Sequence, residues 1–262
     1  MRRRHARSAV GSRPGWVGRL AELRATRTRT TAFDETPIRA PRVYQELNEF
    51  LDEDATVVTA IGLYQIFGGQ FQNAYRPRHY LCCGQAGPLG WEVSACTGAK
   101  LARPDSTVVG IVGDYSFQFL AEEVAVAVQY GVPIVVVMLN NGYMGLIRQA
   151  EVGYEMNFEV DLAFDGPDGH PGIDHVALVR AMGADGTRVT DPHDIQAALA
   201  WAVRESERRR IPVLIEILTD REESAAMGAA IDSIVEPHEL RTIRKAPAGR
   251  GPAHAGLTRS PL

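Results

Sequence analysis

Two short and almost wholly apolar runs constrain the fold of this chain more than any other feature. They cover residues 107–112 and 134–139, and β-branched residues dominate both. Runs of this kind are typical of strands that helices cover on both faces, as in parallel sheets. They therefore predict two buried strands of such a sheet.

Segments with helical composition alternate with strands along the middle of the chain. The predicted segments are further strands at 56–59 and 213–218 and helices at 89–101, 119–130, 172–182 and 194–209. This alternation favours a parallel sheet with right-handed crossovers, because each helix carries the chain back to the start of the next strand. We predict an α/β fold of three layers, with one parallel sheet flanked by helices.

Composition separates the two ends of the chain from its middle. Residues 1–30 carry nine arginines against the single acid Glu22, and residues 245–262 are rich in Pro, Gly, Ala and Arg. Neither end has enough apolar residues to form a core. We therefore predict three parts: a basic, partly disordered head and linker at 1–40, one cofactor-binding domain at 41–240, and a disordered tail at 241–262. The basic head is interpreted as a solvated tail or linker, with a nucleic-acid arm or an organelle transit peptide as alternatives.

Charge, hydropathy and cysteine count exclude several classes of protein. A net charge of −4 argues against a nucleic-acid partner for the domain as a whole. No apolar run approaches the roughly 20 residues of a membrane-spanning helix, so no membrane partner is expected. Three cysteines, two of them adjacent at Cys82 and Cys83, give no disulfide framework. We expect a cytoplasmic protein.

Two loops that follow predicted strands carry the candidate chemistry. Ligands of open parallel sheets bind beyond the carboxyl ends of the strands, and there the sequence places Asp114 and Asn141. A carboxylate, an amide oxygen and a nearby backbone carbonyl suit Mg²⁺, and helix N-termini beyond the loops favour an anion. A diphosphate bridged by Mg²⁺ is therefore the predicted ligand. Taken alone, the same two residues also fit a helix cap and a turn.

The residues at these loops resemble a known motif. Gly113-Asp114, followed by Asn140-Asn141, is similar to the thiamine-diphosphate motif that opens with Gly-Asp-Gly and closes with Asn-Asn. The resemblance implies that Asp114, Asn141 and the backbone oxygen of Tyr143 hold the metal. The chain departs from the motif at Tyr115, where most of the superfamily has Gly, and this puts the local backbone geometry in doubt.

Several further strings narrow the resemblance to the glyoxylate carboligase (tartronate-semialdehyde synthase) family. They are 59–66 (TAIGLYQI), 83–91 (CGQAGPLGW), 113–123 (GDYSFQFLAEE), 140–149 (NNGYMGLIRQ), 172–176 (GIDHV) and 227–228 (MG). The likeness runs from about Trp16 to about Leu240 and corresponds to the carboxyl-terminal third of that enzyme.

The resemblance implies roles for individual residues. Leu89 would be the catalytic aliphatic side chain that bends the cofactor and so promotes its deprotonation at C2, although an ordinary core leucine is the alternative. The Gly87 carbonyl would meet the aminopyrimidine, and a loop containing Tyr64 and Gln65 would line the diphosphate. The full set of implied cofactor-binding residues is Tyr64, Gln65, Gly87, Leu89, Gly113, Asp114, Tyr115, Ser116, Asn141, Tyr143, Met144, Gly145 and Leu146.

The resemblance also implies a reaction and partners. Two glyoxylates would condense to tartronate semialdehyde and CO₂, in the manner of a carboligase of the lyase class. The aminopyrimidine half of the cofactor site and the FAD-binding middle domain of the family would come from a partner chain or a homo-oligomer. An acetolactate-synthase-like domain is one alternative, and it predicts Met and Gln-His in place of Leu89 and Leu63-Tyr64. An inactive truncated domain is another.

Other charged residues are given structural interpretations. Glu122 and Glu123 suit the positive end of a helix dipole. Arg148 fits either a salt bridge or an anionic substrate. His175 has no partner at metal-ligand spacing.

Overall fold

The computed structural model describes residues 13–27, 29–157, 159–161, 163–164 and 172–226. Its helices are α1 (Pro14–Arg27), α2 (Ala40–Phe50), α3 (Leu63–Phe71), α4 (Trp91–Ala102), α5 (Asp114–Phe119), α6 (Glu123–Gln129), α7 (Gly145–Tyr154), α8 (His175–Ala181) and α9 (Ile195–Arg209). Its strands are β1 (Thr56–Thr59), β2 (Tyr80–Leu81), β3 (Val108–Gly113), β4 (Val135–Asn140), β5 (Asp185–Val189) and β6 (Val213–Leu218).

The six strands form one parallel sheet in the order β2-β1-β3-β4-β6-β5. Connections that run toward β2 contain α3 and α9, and connections that run toward β5 contain α4, α6 and α8. With right-handed crossovers, opposite directions along the sheet place helices on opposite faces. The packing agrees, because α3 and α9 contribute to one core cluster and α4, α6 and α8 to the other.

The burial of the two central strands explains why helices must cover both faces of the sheet. All six residues of β3 and all six of β4 are buried. Val109 and Val137 point into the core under α2, α3 and α9, whereas Val112 and Met138 point into the core under α4, α6 and α8. Burying a Val, Leu or Ile side chain contributes about 1.5–3 kcal/mol, so each face of these strands stabilises the fold. The predicted three-layer α/β architecture is confirmed.

The element boundaries differ from the predicted ones in instructive places. The strands at 56–59 and 213–218 are confirmed, and β3 and β4 each begin and end one residue later than predicted. Strands β2 and β5 were not predicted, since β2 has two residues and β5 is polar. The helix predicted at 119–130 is present as α6, which begins four residues later than predicted. The chain turns at Leu120, which packs against Gly90, and this contact separates α5 from α6.

The head of the chain contains more regular structure than expected. Helix α1 lies within the predicted disordered head, but none of its residues is buried. Ile38 bridges Thr219 beyond β6 and is fully buried, so the packed part of the molecule begins before residue 41. The predicted tail at 241–262 and the string at 227–228 lie outside the described residues, and the domain limits stay predictions. No helix in the described part of the chain is long and apolar enough to cross a membrane.

Candidate functional site

The strand order creates a crevice at the carboxyl edge of the sheet. The chain leaves β1 toward β2 and leaves β3 in the opposite direction toward β4. Segments that leave neighbouring strands in opposite directions open a cleft between them, and ligands of doubly wound sheets bind there. The segments after β1, β3 and β4 are therefore the first place to look for a site.

The starts of α3, α5 and α7 meet at this edge. A Cβ atom built on Gly145, at the start of α7, would lie 2.8 Å from Leu63 Cδ2 at the start of α3. A Cβ atom on Gly113, before α5, would lie 3.2 Å from the Tyr64 ring. Because helix N-termini carry free N–H groups and a positive dipole end, α3 and α7 together favour an anion at this edge.

Asp114 is buried at the first position of α5, with 2% of its surface exposed. Burial raises its pKa to about 7, although His175 and the backbone N–H groups of Asp114, Tyr115 and Asn141 act in the opposite direction. Its Oδ1 atom is buried and has no hydrogen-bond partner. The site therefore holds a carboxylate that lacks a full counter-charge.

Asn141 lies beside Asp114, because β3 and β4 pair in register up to Gly113 and Leu139. The Asn141 side chain is 2% exposed, and its Oδ1 accepts a hydrogen bond of 3.3 Å from the Tyr143 N–H. Its Nδ2 atom is buried without a partner. The turn itself is held by Gly142, which has a φ of +67°, a conformation that favours glycine.

The orphaned Asp114 Oδ1 atom tests whether a divalent cation fits the site. Buried polar atoms without partners are rare and call for an explanation such as a missing ion. One carboxylate, one amide and the nearby backbone carbonyl of Tyr143 form the oxygen-rich set that Mg²⁺ prefers. Across the described residues, no group of three or more His, Cys, Asp and Glu side chains could hold a metal. The donor set fits a cation that also takes ligands from a phosphate and water.

Tyr143 is flanked by two guanidinium groups. Arg221 lies 4.3 Å and Arg148 5.3 Å from the centre of its ring. Arg221 also donates a 3.2 Å hydrogen bond to the Asn141 carbonyl oxygen. Arg148 forms salt bridges of 3.3 Å with Glu222 and 3.6 Å with Glu151, as the salt-bridge interpretation predicts.

The loop before α4 carries Leu89. Gly84, Gly87 and Gly90 have positive φ values of 70°, 54° and 87°, so the loop follows a path that favours glycine. Leu89 is half-buried and belongs to neither core cluster, which disfavours its interpretation as a core leucine. A Cβ atom on Gly87 would lie 3.3 Å from Ile61 Cδ1, so this loop contacts the segment after β1.

Ser116 and Glu92 connect the Leu89 loop to α5. The Ser116 hydroxyl accepts from the Gly90 N–H at 3.0 Å and donates to Glu92 Oε1 at 2.5 Å. Glu92 is fully buried, and burial raises its pKa against the effects of Ser116 and of the backbone N–H groups near it, including that of Ile61. Its Oε2 atom has no hydrogen-bond partner. Sequence reasoning missed Glu92, because nothing local distinguishes it from an ordinary first-turn acid.

The other predicted cofactor-binding residues occupy different places. The segment at Leu63–Gln65 was predicted to be a loop, but it forms the first turn of α3. Gly62 precedes this turn and allows the helix to start soon after β1. Tyr64 is buried behind Gly113, and its hydroxyl lies 3.3 Å from Thr219 Oγ1. Gln65 is half-buried on the same turn.

Residues on α5 and α7 complete the predicted set. Tyr115 is half-buried, with its ring 6.3 Å from that of Phe119. The Met144 N–H donates to the Val160 carbonyl oxygen at 3.2 Å. Leu146 contacts the start of α3, since a Cβ atom on Gly62 would lie 4.0 Å from Leu146 Cβ. The structure thus gathers the predicted residues around one edge, and their roles toward a cofactor stay predictions.

Comparison with known proteins defines the class. Residues 60–217 match the model of the thiamine pyrophosphate enzyme C-terminal TPP binding domain. This match covers more than half of the chain, and the chain belongs to that family of enzyme domains. A solved structure of the Rhodococcus jostii RHA1 thiamine diphosphate-dependent 4-hydroxybenzoylformate decarboxylase matches with a TM-score of 0.64 and 25% identity. The match covers 74% of this chain and 35% of that one.

Among individual relatives, the glyoxylate carboligase of Escherichia coli O157:H7 is 39% identical over 232 residues, or 87% of this chain. A probable acetolactate synthase large subunit of Methanocaldococcus jannaschii is 28% identical over 243 residues, or 88% of this chain. The chain spans 39% of the length of each of these relatives. The predicted resemblance to the carboxyl-terminal thiamine-diphosphate-binding domain of glyoxylate carboligase is confirmed.

Proposed function

We propose that the chain binds the diphosphate of thiamine diphosphate through Mg²⁺. The Asp114 carboxylate, the Asn141 side-chain amide and the Tyr143 backbone oxygen would hold the cation. The observation that carries this proposal is the buried Asp114 Oδ1 atom, which has no partner and lies on the loop beside the one that carries Asn141. A carbonyl oxygen has two lone pairs, so Asn141 Oδ1 can accept the 3.3 Å bond from the Tyr143 N–H and also bind a cation.

Different residues of the chain would bind different parts of the cofactor. The starts of α3 and α7 would face the diphosphate with free N–H groups. Leu89 would support the cofactor from the loop before α4, and Ser116 and Glu92 would hold that loop against α5. When bound, thiamine diphosphate supplies a nucleophilic thiazolium carbon that attacks a 2-oxo acid.

We propose glyoxylate as the substrate, with tartronate semialdehyde and CO₂ as the products. The 39% identity to a glyoxylate carboligase supports this choice. So do Leu89 and Leu63-Tyr64, where an acetolactate-synthase-like domain is expected to carry Met and Gln-His. Identity of 28% to a probable acetolactate synthase keeps that activity as the second candidate. An inactive domain that binds the cofactor without turnover is the third.

We further propose that other parts of a larger assembly complete the site. The chain spans 39% of the length of its relatives, so the aminopyrimidine half would come from a further domain, a partner chain or a second copy. FAD would belong to that missing portion. We propose a cytoplasmic location from the cysteine count.

Calorimetric titration of the full chain with thiamine diphosphate tests the binding proposal. Wild-type protein is expected to bind in the presence of Mg²⁺ and to lose this binding when EDTA is added. Asp114→Ala should abolish the Mg²⁺-dependent binding. Equal affinity in the variant and the wild type would remove Asp114 from the metal site. Asp105→Ala, which changes an exposed acid in the turn before β3, is the matched control and should bind normally.

A further inference from the structure

A buried carboxylate on β6 lies beneath the candidate cation site. Glu216 is fully buried, and its Oε1 atom accepts a 2.8 Å hydrogen bond from Asn140 Nδ2. The same Oε1 atom lies 2.7 Å from His175 Nδ1, and Oε2 accepts a 2.8 Å bond from Arg188 Nε. A buried carboxylate is tolerated where ionic and hydrogen-bond partners surround it, and Glu216 has both.

One branch of this network reaches the turn that carries Asn141. The Asn140 side chain joins Glu216 through Nδ2, while its Oδ1 accepts a 3.0 Å bond from the Gly142 N–H. Asn140 therefore ties the turn on either side of Asn141 to the neighbouring strand. A rotation of this turn would move the Asn141 side chain and the Tyr143 carbonyl together.

The other branch reaches the helix that carries Asp114. His175, at the start of α8, is buried with 2% of its surface exposed. Its Nε2 atom lies 3.2 Å from Gln118 Nε2 on α5, and its ring meets that of Phe117 edge-on at 6.1 Å. A single carboxylate thus connects the two segments that carry the proposed metal ligands.

We propose that Glu216 and His175 are positioning residues that fix the Asn140–Tyr143 turn against α5 and so preorganise the cation site. This inference rests on the proposed function. Residues behind metal ligands orient them, and losing such a residue commonly weakens metal affinity by about 10-fold to 100-fold. Neither residue belongs to the proposed set of metal ligands.

Magnesium titration of the full chain at a fixed, saturating concentration of thiamine diphosphate tests the inference. Glu216→Gln is expected to raise the Mg²⁺ concentration for half-maximal cofactor binding by about 10-fold or more. Glu223→Gln is the matched control, because Glu223 is another buried carboxylate, bonded to Arg39 and to the Ala40 N–H. This control should unfold at a lower temperature but keep the wild-type Mg²⁺ requirement, which separates positioning from general stability.

Two further variants keep the outcome decisive. If Glu216→Gln does not fold, Gln118→Ala removes the half-buried link between His175 and α5 and is expected to raise the Mg²⁺ requirement several-fold. An unchanged requirement in whichever of these variants folds would overturn the inference. Asp114→Ala separates the two proposals. If Asp114→Ala binds the cofactor normally, the proposed metal site is wrong. If Asp114→Ala loses binding while Glu216→Gln keeps the wild-type Mg²⁺ requirement, the metal site stands and the positioning role of Glu216 is wrong.

Discussion

Asp114 and Asn141 show at the scale of single residues how a fold can prepare a site. Both side chains are 2% exposed, and each keeps a polar atom without a partner. An unpaired buried polar group costs about 1–3 kcal/mol, so the rest of the structure must offset these two. Such a cost is expected where a ligand later supplies the missing partner.

The pKa of Asp114 gives a pH prediction for the metal-free chain. Burial raises this pKa to about 7, well above the ordinary value of an aspartate, so the folded state binds a proton that the unfolded state has lost at intermediate pH. Stability should therefore fall as pH rises from about 4 to about 7. Asp114→Asn has no ionisable group at this position, so its stability should not decrease for this reason. Relative to wild type, its free energy of unfolding should increase across that range by an amount on the order of 3 kcal/mol.

Urea unfolding of both proteins at several pH values, with EDTA present, checks this prediction. A difference between variant and wild type that stays constant from pH 4 to pH 8 would contradict it. Excess Mg²⁺ with thiamine diphosphate should reverse the trend above pH 7, because the ionised carboxylate is the form that binds the cation.

At the scale of elements, the site depends on how closely α7 approaches α3. Gly145→Ala would place a methyl group 2.8 Å from Leu63 Cδ2 and 2.9 Å from Asn141 Nδ2. We expect the Asn141 side chain to shift and Mg²⁺-dependent cofactor affinity to fall by about 10-fold. Gly153→Ala, near the other end of α7, meets nothing within 4 Å and should instead stabilise the helix by about 0.5–1 kcal/mol. Calorimetry and thermal unfolding of the two variants distinguish these effects.

A second prediction at this scale concerns the Leu89 loop. Ser116→Ala removes the acceptor for the Gly90 N–H and the donor to Glu92, and all three groups are buried. The free energy of unfolding should decrease by about 1–3 kcal/mol. Ser94→Ala, a half-buried serine on α4, is the control and should change stability little. Chemical unfolding measures both, and equal effects would argue against the loop-anchoring role of Ser116.

At the scale of the whole molecule, the chain corresponds to one part of the length of its relatives. Its family domain covers residues 60–217, while its relatives are more than twice its length. Under the proposed function, the segments after β1, β3 and β4 would supply groups for a diphosphate, a cation and one wall of a pocket. Under this proposal, the described residues would account for the diphosphate half of a cofactor site.

We therefore predict that the chain alone does not convert glyoxylate. Release of labelled CO₂ from glyoxylate, with thiamine diphosphate and Mg²⁺, should stay at the level of the Asp114→Ala variant. Addition of a protein that carries the aminopyrimidine-binding and FAD domains should raise the release of labelled CO₂. Turnover by the isolated chain would show that the described site needs no further contribution.

Sequence patterns determined the parallel sheet and the place of the site. The apolar, β-branched runs that predict the strands are local features, and the ends of neighbouring strands bring Asp114 and Asn141 together for any chain with this topology. The same rule could not find Glu92, Arg221 or Glu216. Their partners lie 24, 80 and 76 residues away, and sequence spacing carries no signal for such contacts.

Tertiary packing also decided where elements begin and end. A turn at Leu120, next to Gly90, delays the start of the helix predicted at 119–130, and Gly62 starts α3 where a loop was predicted. Local propensity is weak compared with the free energy of burying apolar side chains, so distant contacts override it. The sequence thus determined the chemistry of the two loops. The three-dimensional structure decided which buried groups orient them.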